Sequence, residues 1–216
     1  MTTLAPLTGT EVAVSTNALP VRQSTLTRRT EETSIDLHLV LDGEGRVQAA
    51  TGVPFLDHML QALGRHARFD LTVTASGDAA MDPHHTVEDV GIVLGQTLRS
   101  ALGDRAGIAR FGSAYAPLDE ALARVVVDCS GRPFLHFAAE MPEASIGADF
   151  ASSLVEEFWR ALATNGGLTM HVDLIRSRNA HHAAEAIFKA AAVAMRQAFE
   201  RTGPEGAVPS TKGVLA

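Results

Sequence analysis

Two short clusters of metal-ligating side chains stand far apart in the chain, His84-His85-Thr86-Val87-Glu88 and His181-His182-Ala183-Ala184-Glu185. On a helix, residues three and four apart share a face, so each glutamate can stand beside either histidine before it, whereas adjacent histidines diverge by roughly 100 degrees. An HHxxE unit is therefore better suited to feed two metal sites than to close one around a single ion. Taken singly, such a unit reads as a polar helix start. Two copies in one chain point to metal chemistry.

The clusters belong to a longer internal repeat. Asp57-His58-Met59-Leu60-Gln61-Ala62-Leu63 aligns with Glu156-Glu157-Phe158-Trp159-Arg160-Ala161-Leu162, and at the same offset Phe69, Leu71 and Val73 meet Leu168, Met170 and Val172. The repeat sets His58 opposite Glu157, both able to bind a metal. The candidate ligands are then His58, His84, His85, Glu88, Glu157, His181, His182 and Glu185. Shared between two ions, they supply about four protein ligands each and leave open positions on a metal that prefers six. Imidazole with carboxylate and no thiolate suits manganese or iron, with zinc possible, and open positions imply substrate binding.

The elements that must position these groups follow from periodicity. Ser34 to Leu41 alternates polar and apolar as a half-buried strand, Asp42-Gly43-Glu44-Gly45 is a turn, and Arg46 to Ala50 returns, which predicts a hairpin. Gly52-Val53-Pro54 opens a helix whose apolar face is Phe55, Met59, Leu60 and Leu63, with His58 and His66 off that face. Phe69 to Ala75 is a strand, and the helix carrying the first HHxxE runs to about Leu102. The second half repeats the plan with strands from about Tyr115 to Ser130 and Phe134 to Ala139. A helix follows from about Phe150 to Thr164, then a strand from Leu168 to Ile175 and an alanine-rich helix to Glu200. The pattern predicts an α/β (α+β) fold built by internal duplication of a β-β-α-β-α unit. Residues 1–26 read as a disordered tail, 27–104 and 105–203 as the two half-repeats of one domain, and 204–216 as a C-terminal tail.

Composition narrows the function classes. With 216 residues, 46% hydrophobic and 20% charged, the chain can bury a sizeable core. A formal charge of −7 argues against nonspecific nucleic-acid binding. Cys129 is the only cysteine, so no intrachain disulfide forms, and no apolar run is long enough to span a bilayer. The N-terminal stretch lacks the basic and apolar regions of a secretory signal, and the expected location is the cytoplasm. Near the C-terminus, Pro209-Ser210-Thr211-Lys212-Gly213 combines hydroxyls, a cation and a glycine, a pattern suited to holding phosphate. Arg110, Arg132 and Lys189 are further anion candidates.

Gly52-Val53-Pro54-Phe55-Leu56-Asp57-His58-Met59-Leu60, Phe69-Asp70-Leu71, His84-His85-Thr86-Val87-Glu88-Asp89, Asn179 to Ala190 and Pro209 to Gly213 together resemble the imidazoleglycerol-phosphate dehydratase family of histidine biosynthesis. The likeness runs from about Arg28 to Leu215, in order. It implies dehydration of D-erythro-imidazole glycerol phosphate to imidazole acetol phosphate, with two manganese ions. It also implies two mixed sheets enclosing a helical layer, of the kind named for the second domain of a small-subunit ribosomal protein. The assembly it implies is a large closed homo-oligomer of octahedral symmetry, a 24-mer, with active sites between subunits. By position, the family's metal ligands fall on the candidates above, and its phosphate contacts on Gln61, Arg110, Arg132, Lys189, Ser210 and Lys212. Substrate contacts extend to Glu32, His58, His66, His84, His85, Glu88 and His181. Glu32 matches the glutamate of an Arg-Thr-x-Glu-Thr pattern, and with Glu185 it is the candidate proton carrier.

The implied chemistry explains the need for metal. The proton removed is not acidified by a neighbouring carbonyl, whereas a metal-held imidazole carries electron density able to expel the hydroxyl on the adjacent carbon. Two positions depart from the family pattern: Glu157 stands where many relatives carry histidine, and Ser177 where glycine is usual. Two other classes stay open. A dinuclear metal phosphoesterase would release phosphate instead of forming a ketone, and a non-catalytic metal-binding assembly would have no use for the Ser210 to Lys212 segment.

Overall fold

In the computed structural model, residues 20–77, 82–204, 206–213 and 215 are described. Alternation of inward apolar and outward polar side chains gives each long strand one buried face: Ile35, Leu37 and Leu39 in the first half, and Ala123, Val125 and Val127 in the second. The first half contains β1 (Gln23–Arg29), β2 (Thr33–Val40), β3 (Val47–Ala50), α1 (Pro54–Ala67), β4 (Asp70–Gly77) and α2 (His84–Leu102). The second contains β5 (Phe111–Leu118), β6 (Ala121–Asp128), β7 (Phe134–Ala138), a short hairpin of β8 (Ser145–Ile146) and β9 (Phe150–Ala151), α3 (Leu154–Gly166), β10 (Thr169–Arg176) and α4 (Ala180–Phe199).

The sheets have orders β1-β2-β4-β3 and β5-β6-β10-β7. In each, the third strand runs parallel to the last one across an intervening helix, and the other pairings are antiparallel. The two halves thus share one connectivity, with the β8–β9 hairpin added in the second.

Several sequence expectations change. Order reaches back beyond residue 27, because β1 begins at Gln23 and pairs along β2; residues 1–19 lie outside the described residues. The predicted hairpin of β2 with β3 does not form, since β4 inserts between them. The predicted strand from Tyr115 to Ser130 is two strands, β5 and β6, folded back at Asp119-Glu120. Each half is therefore β-β-β-α-β-α. The β8–β9 hairpin also takes Phe150, so α3 starts at Leu154.

The four helices fill the space between the sheets. α1 lies on β3 and against α4, α2 lies on β1 and β2 and against α3, and α4 covers β5 and β6. A helix buried on two sides must carry small side chains where backbones cross. Ala183, Ala184, Ala186 and Ala190 to Ala192 of α4 are all fully buried. A Cβ on Gly112 of β5 would collide with the Ala194 carbonyl. Across the α2–α3 crossing, a Cβ on Gly91 would lie 2.8 Å from the Phe158 carbonyl oxygen, and one on Gly95 2.6 Å from that of Leu162.

Backbone contact at that crossing outweighs helix propensity, which favours alanine over glycine by about 1 kcal/mol. Gly95→Ala is expected to destabilise the fold by about 1–3 kcal/mol through overpacking, read as a lowered urea midpoint at unchanged slope. An unchanged or raised midpoint would mean that the helices separate freely there.

Candidate active site

α1 begins at Pro54, whose fixed φ and missing N–H suit the first turn, and Asp57 ties back to the Thr51 amide at 2.8 Å. This entry sets His58 toward α4. There, Asn179 caps the helix by accepting the His182 amide at 3.0 Å, which fixes the turn carrying the second HHxxE.

The two halves meet at one ligand cluster. His58 Nε2 lies 3.1 Å and His181 Nε2 3.3 Å from Glu185 Oε2. Ligand atoms of the three residues all fall within 4.8 Å of one another, a spacing that fits one divalent cation. Lys189 Nζ is 2.6 Å from the other Glu185 oxygen. Burial works against charge on Glu185, but the Lys189 ammonium and His58 outweigh it and hold the carboxyl down to about 2. His66, two turns beyond His58, is in the same field: burial and the Lys189 charge lower its pKa. A cavity of about 880 Å³ opens beside the cluster, lined by Phe55, His58, Asp149, Phe150 and His181 among others. Phe55 packs on Phe150 with centroids 4.8 Å apart.

The remaining candidates form separate sets. At the start of α2 the rings of His84 and His85 are nearly perpendicular, at 86°; His84 Nε2 is 3.8 Å from Glu88 and His85 Nδ1 is 3.9 Å from Glu32. Glu32 stands exposed in the β1–β2 turn, which is pinned to α2 through Asp89. That buried carboxylate accepts from Thr33 Oγ and pairs with Arg28 at 3.1 Å. His182 turns away from His181, at 90°, and meets Glu120. Glu157, in the first turn of α3, has Arg160 at 3.7 Å. Among the described residues, His84, His85, Glu88, Glu157 and His182 do not join a cluster of three or more ligand atoms.

Arg110 and Arg132 gather around Asp128, and Arg110 reaches on to the loop that carries Ser210. Arg110 spans that carboxylate at 2.8 and 3.2 Å and donates a further bond to the Pro209 carbonyl at 2.8 Å, while the more exposed Arg132 is 3.8 Å from Asp128. Arg110 is thus an anchor for the C-terminal loop, in which the Ser210 hydroxyl accepts the Lys212 amide at 3.2 Å. Gln61 lies apart, midway along α1 beside Arg46 and Arg65. Sequence reading missed Asp128, Glu120 and Phe150. Asp128 and Glu120 close or end strands and look like ordinary turn residues, and Phe150 was absorbed into a helix.

A family model described as imidazoleglycerol-phosphate dehydratase matches residues 51–195, more than half of the chain. The chain belongs to the imidazoleglycerol-phosphate dehydratase family. Relatives of that name from Aromatoleum aromaticum and Acidiphilium cryptum are 54% and 55% identical, each over 90% of this chain and 100% and 99% of their own length. The crystal structure of the Staphylococcus aureus enzyme superposes with TM-score 0.75 at 41% identity, covering 84% of this chain and 99% of that one. A Pyrococcus furiosus structure in complex with (S)-C348 gives TM-score 0.75 at 36% identity, over 88% of this chain and 100% of that one. Dehydratases of this family are hydro-lyases.

The anchoring role of Arg110 is directly testable. Arg110→Lys keeps the charge but loses the two-pronged contact with Asp128 and the reach to Pro209. Expected are a loss of about 1–3 kcal/mol in stability and faster amide exchange at Lys212 and Gly213, with exchange in α1 unchanged.

Proposed function

We propose that the chain catalyses the metal-dependent dehydration of D-erythro-imidazole glycerol phosphate to imidazole acetol phosphate, in the cytoplasm, as a step of histidine biosynthesis. The observation that carries the reading is the convergence of His58, His181 and Glu185 from the two halves of a family member. Manganese is the proposed ion, two per subunit, since imidazole and carboxylate donors without thiolate suit it. When bound, it would act as a Lewis acid on the substrate's imidazole and hydroxyls.

The protein's own groups divide the rest of the work. Glu32 exchanges protons with the substrate: one leaves carbon, one returns with the departing hydroxyl as water, and the resulting enol becomes the ketone. Glu185 shares that work when its oxygen is free. Lys189 and the Arg132, Ser210 and Lys212 segment hold the phosphate, with Arg110 fixing the loop beneath them.

Active sites completed between copies account for the divided ligands. Perpendicular neighbouring imidazoles serve different ions, and the His84, His85, Glu88 and Glu32 set is separate from the His58, His181 and Glu185 set within one chain. Self-association into a large closed homo-oligomer has a surface available: Phe111, Tyr115 and Phe134 stand 59%, 62% and 55% exposed on the outer face of the second sheet.

Metal-stripped full-length protein given imidazole glycerol phosphate should form the ketone only after Mn²⁺ is added, and no free phosphate. Phosphate release without ketone would turn the assignment to a phosphoesterase. Glu32→Gln should lower kcat by about 100-fold or more while leaving Mn²⁺ stoichiometry intact. Full kcat in that variant would remove Glu32 from proton transfer. Because a metal competes with protons for its ligands, Mn²⁺ binding should weaken on acidification, and light scattering should then show smaller particles. Particle size unchanged after complete metal removal would separate assembly from metal.

A further inference from the structure

Glu120 occupies a place that none of the ligand sets explains. β5 and β6 are joined by two residues, with Leu118 paired to Ala121, and Asp119 takes the left-handed conformation at φ 47 that closes so tight a turn. The turn delivers the Glu120 carboxylate to the junction between β10 and α4. There one oxygen accepts the Arg178 amide at 3.1 Å, and the other lies 2.8 Å from His182 Nδ1. The same junction is braced by Asn179, which caps the His182 amide at 3.0 Å, and by Glu143, which accepts the Ala180 amide at 2.7 Å. Backbone and ring of His182 are therefore held independently.

The nitrogen in contact decides what the ring can do. A neutral imidazole carries one proton, and a carboxylate against Nδ1 draws it there, which leaves the Nε2 lone pair for a metal. The arrangement differs at His181, whose Nε2 faces Glu185 inside the ligand cluster. From this geometry we infer that Glu120 is a positioning residue: it fixes the tautomer and ring direction of His182, so that Nε2 is presented to a metal ion other than the one held by His58, His181 and Glu185. The inference rests on the manganese reading proposed above. Glu120 itself touches neither ion nor substrate.

A purely structural clip would use Glu120 only to tie the Arg178 amide and the Ser177 hydroxyl to the turn, and glutamine could do that as well. The two roles separate in a Mn²⁺ titration of the metal-stripped full-length protein, with free ion counted by electron paramagnetic resonance. Glu120→Gln is expected to weaken one class of site by about 10-fold and Glu120→Ala by about 10–100-fold, with the other class and the melting temperature of Glu120→Gln essentially unchanged. In a His182→Ala background, Glu120→Gln should have no further effect on Mn²⁺ affinity. Wild-type affinity at both classes in Glu120→Gln and Glu120→Ala would overturn the inference while leaving the dehydratase reading intact. Equal loss at both classes together with a lowered melting temperature would reduce Glu120 to a clip. Absence of Mn²⁺ binding by the wild-type protein would overturn the manganese reading, and this inference with it.

Discussion

Everything in this molecule depends on helices that must be buried on two sides at once. A layer enclosed by two sheets has no room for long side chains at its crossings, so backbones touch: Gly91 and Gly95 meet the carbonyls of Phe158 and Leu162, and Gly112 meets that of Ala194. Such contact fixes helix positions closely, because a packed interior tolerates little adjustment. A ligand cluster assembled from two separate helices needs that precision. His58 reaches Glu185 only because α1 and α4 are held at one separation and register.

The same packing dictates how the ligands divide. Histidine pairs at the starts of α2 and α4 sit where one imidazole of each pair turns one way and its neighbour turns almost perpendicular. In α4 the first points across the helical layer to α1, and the second points to the β5–β6 turn and Glu120. One helix end thereby serves two directions. Charge then sharpens the arrangement. Glu185 is flanked by Lys189 and two imidazoles, so the carboxylate is charged and oriented before any ion arrives, at little reorganisation cost.

Much of this was legible in the sequence. The duplication appeared as aligned heptapeptides around His58 and Glu157, and helical periodicity placed both HHxxE units at helix starts. Strand order was not legible, because local alternation tells which face of a strand is buried but not which strand lies beside it. The β2–β3 hairpin failed on that ground: the Asp42 to Gly45 turn is real chemistry, but β4 provides a longer apolar partner for β2. The turn at Asp119-Glu120 was hidden because apolar alternation continues on both sides of it. Glu120 was hidden with it, since a carboxylate two residues into a tight turn looks like solvated surface until its histidine, far along the chain, is placed opposite.

The duplication also shows where the halves stop being equivalent. Gly91 meets Phe158 and Gly95 meets Leu162, so α2 and α3 advance together, and the turn holding Glu88 runs alongside the turn holding Glu157. Repeat symmetry makes this the counterpart of α4 and α1, with Glu157 in the place of His58. In the α1–α4 pair, an imidazole faces a carboxylate and the two attract directly. In the α2–α3 pair, the corresponding groups are both carboxylates, which repel at short range unless a cation lies between them. Glu157 instead has Arg160 of its own helix nearby, and Glu88 has His84. The first cluster is thus preformed by attraction between side chains of two helices, whereas Glu88 and Glu157 each find their partner within their own helix.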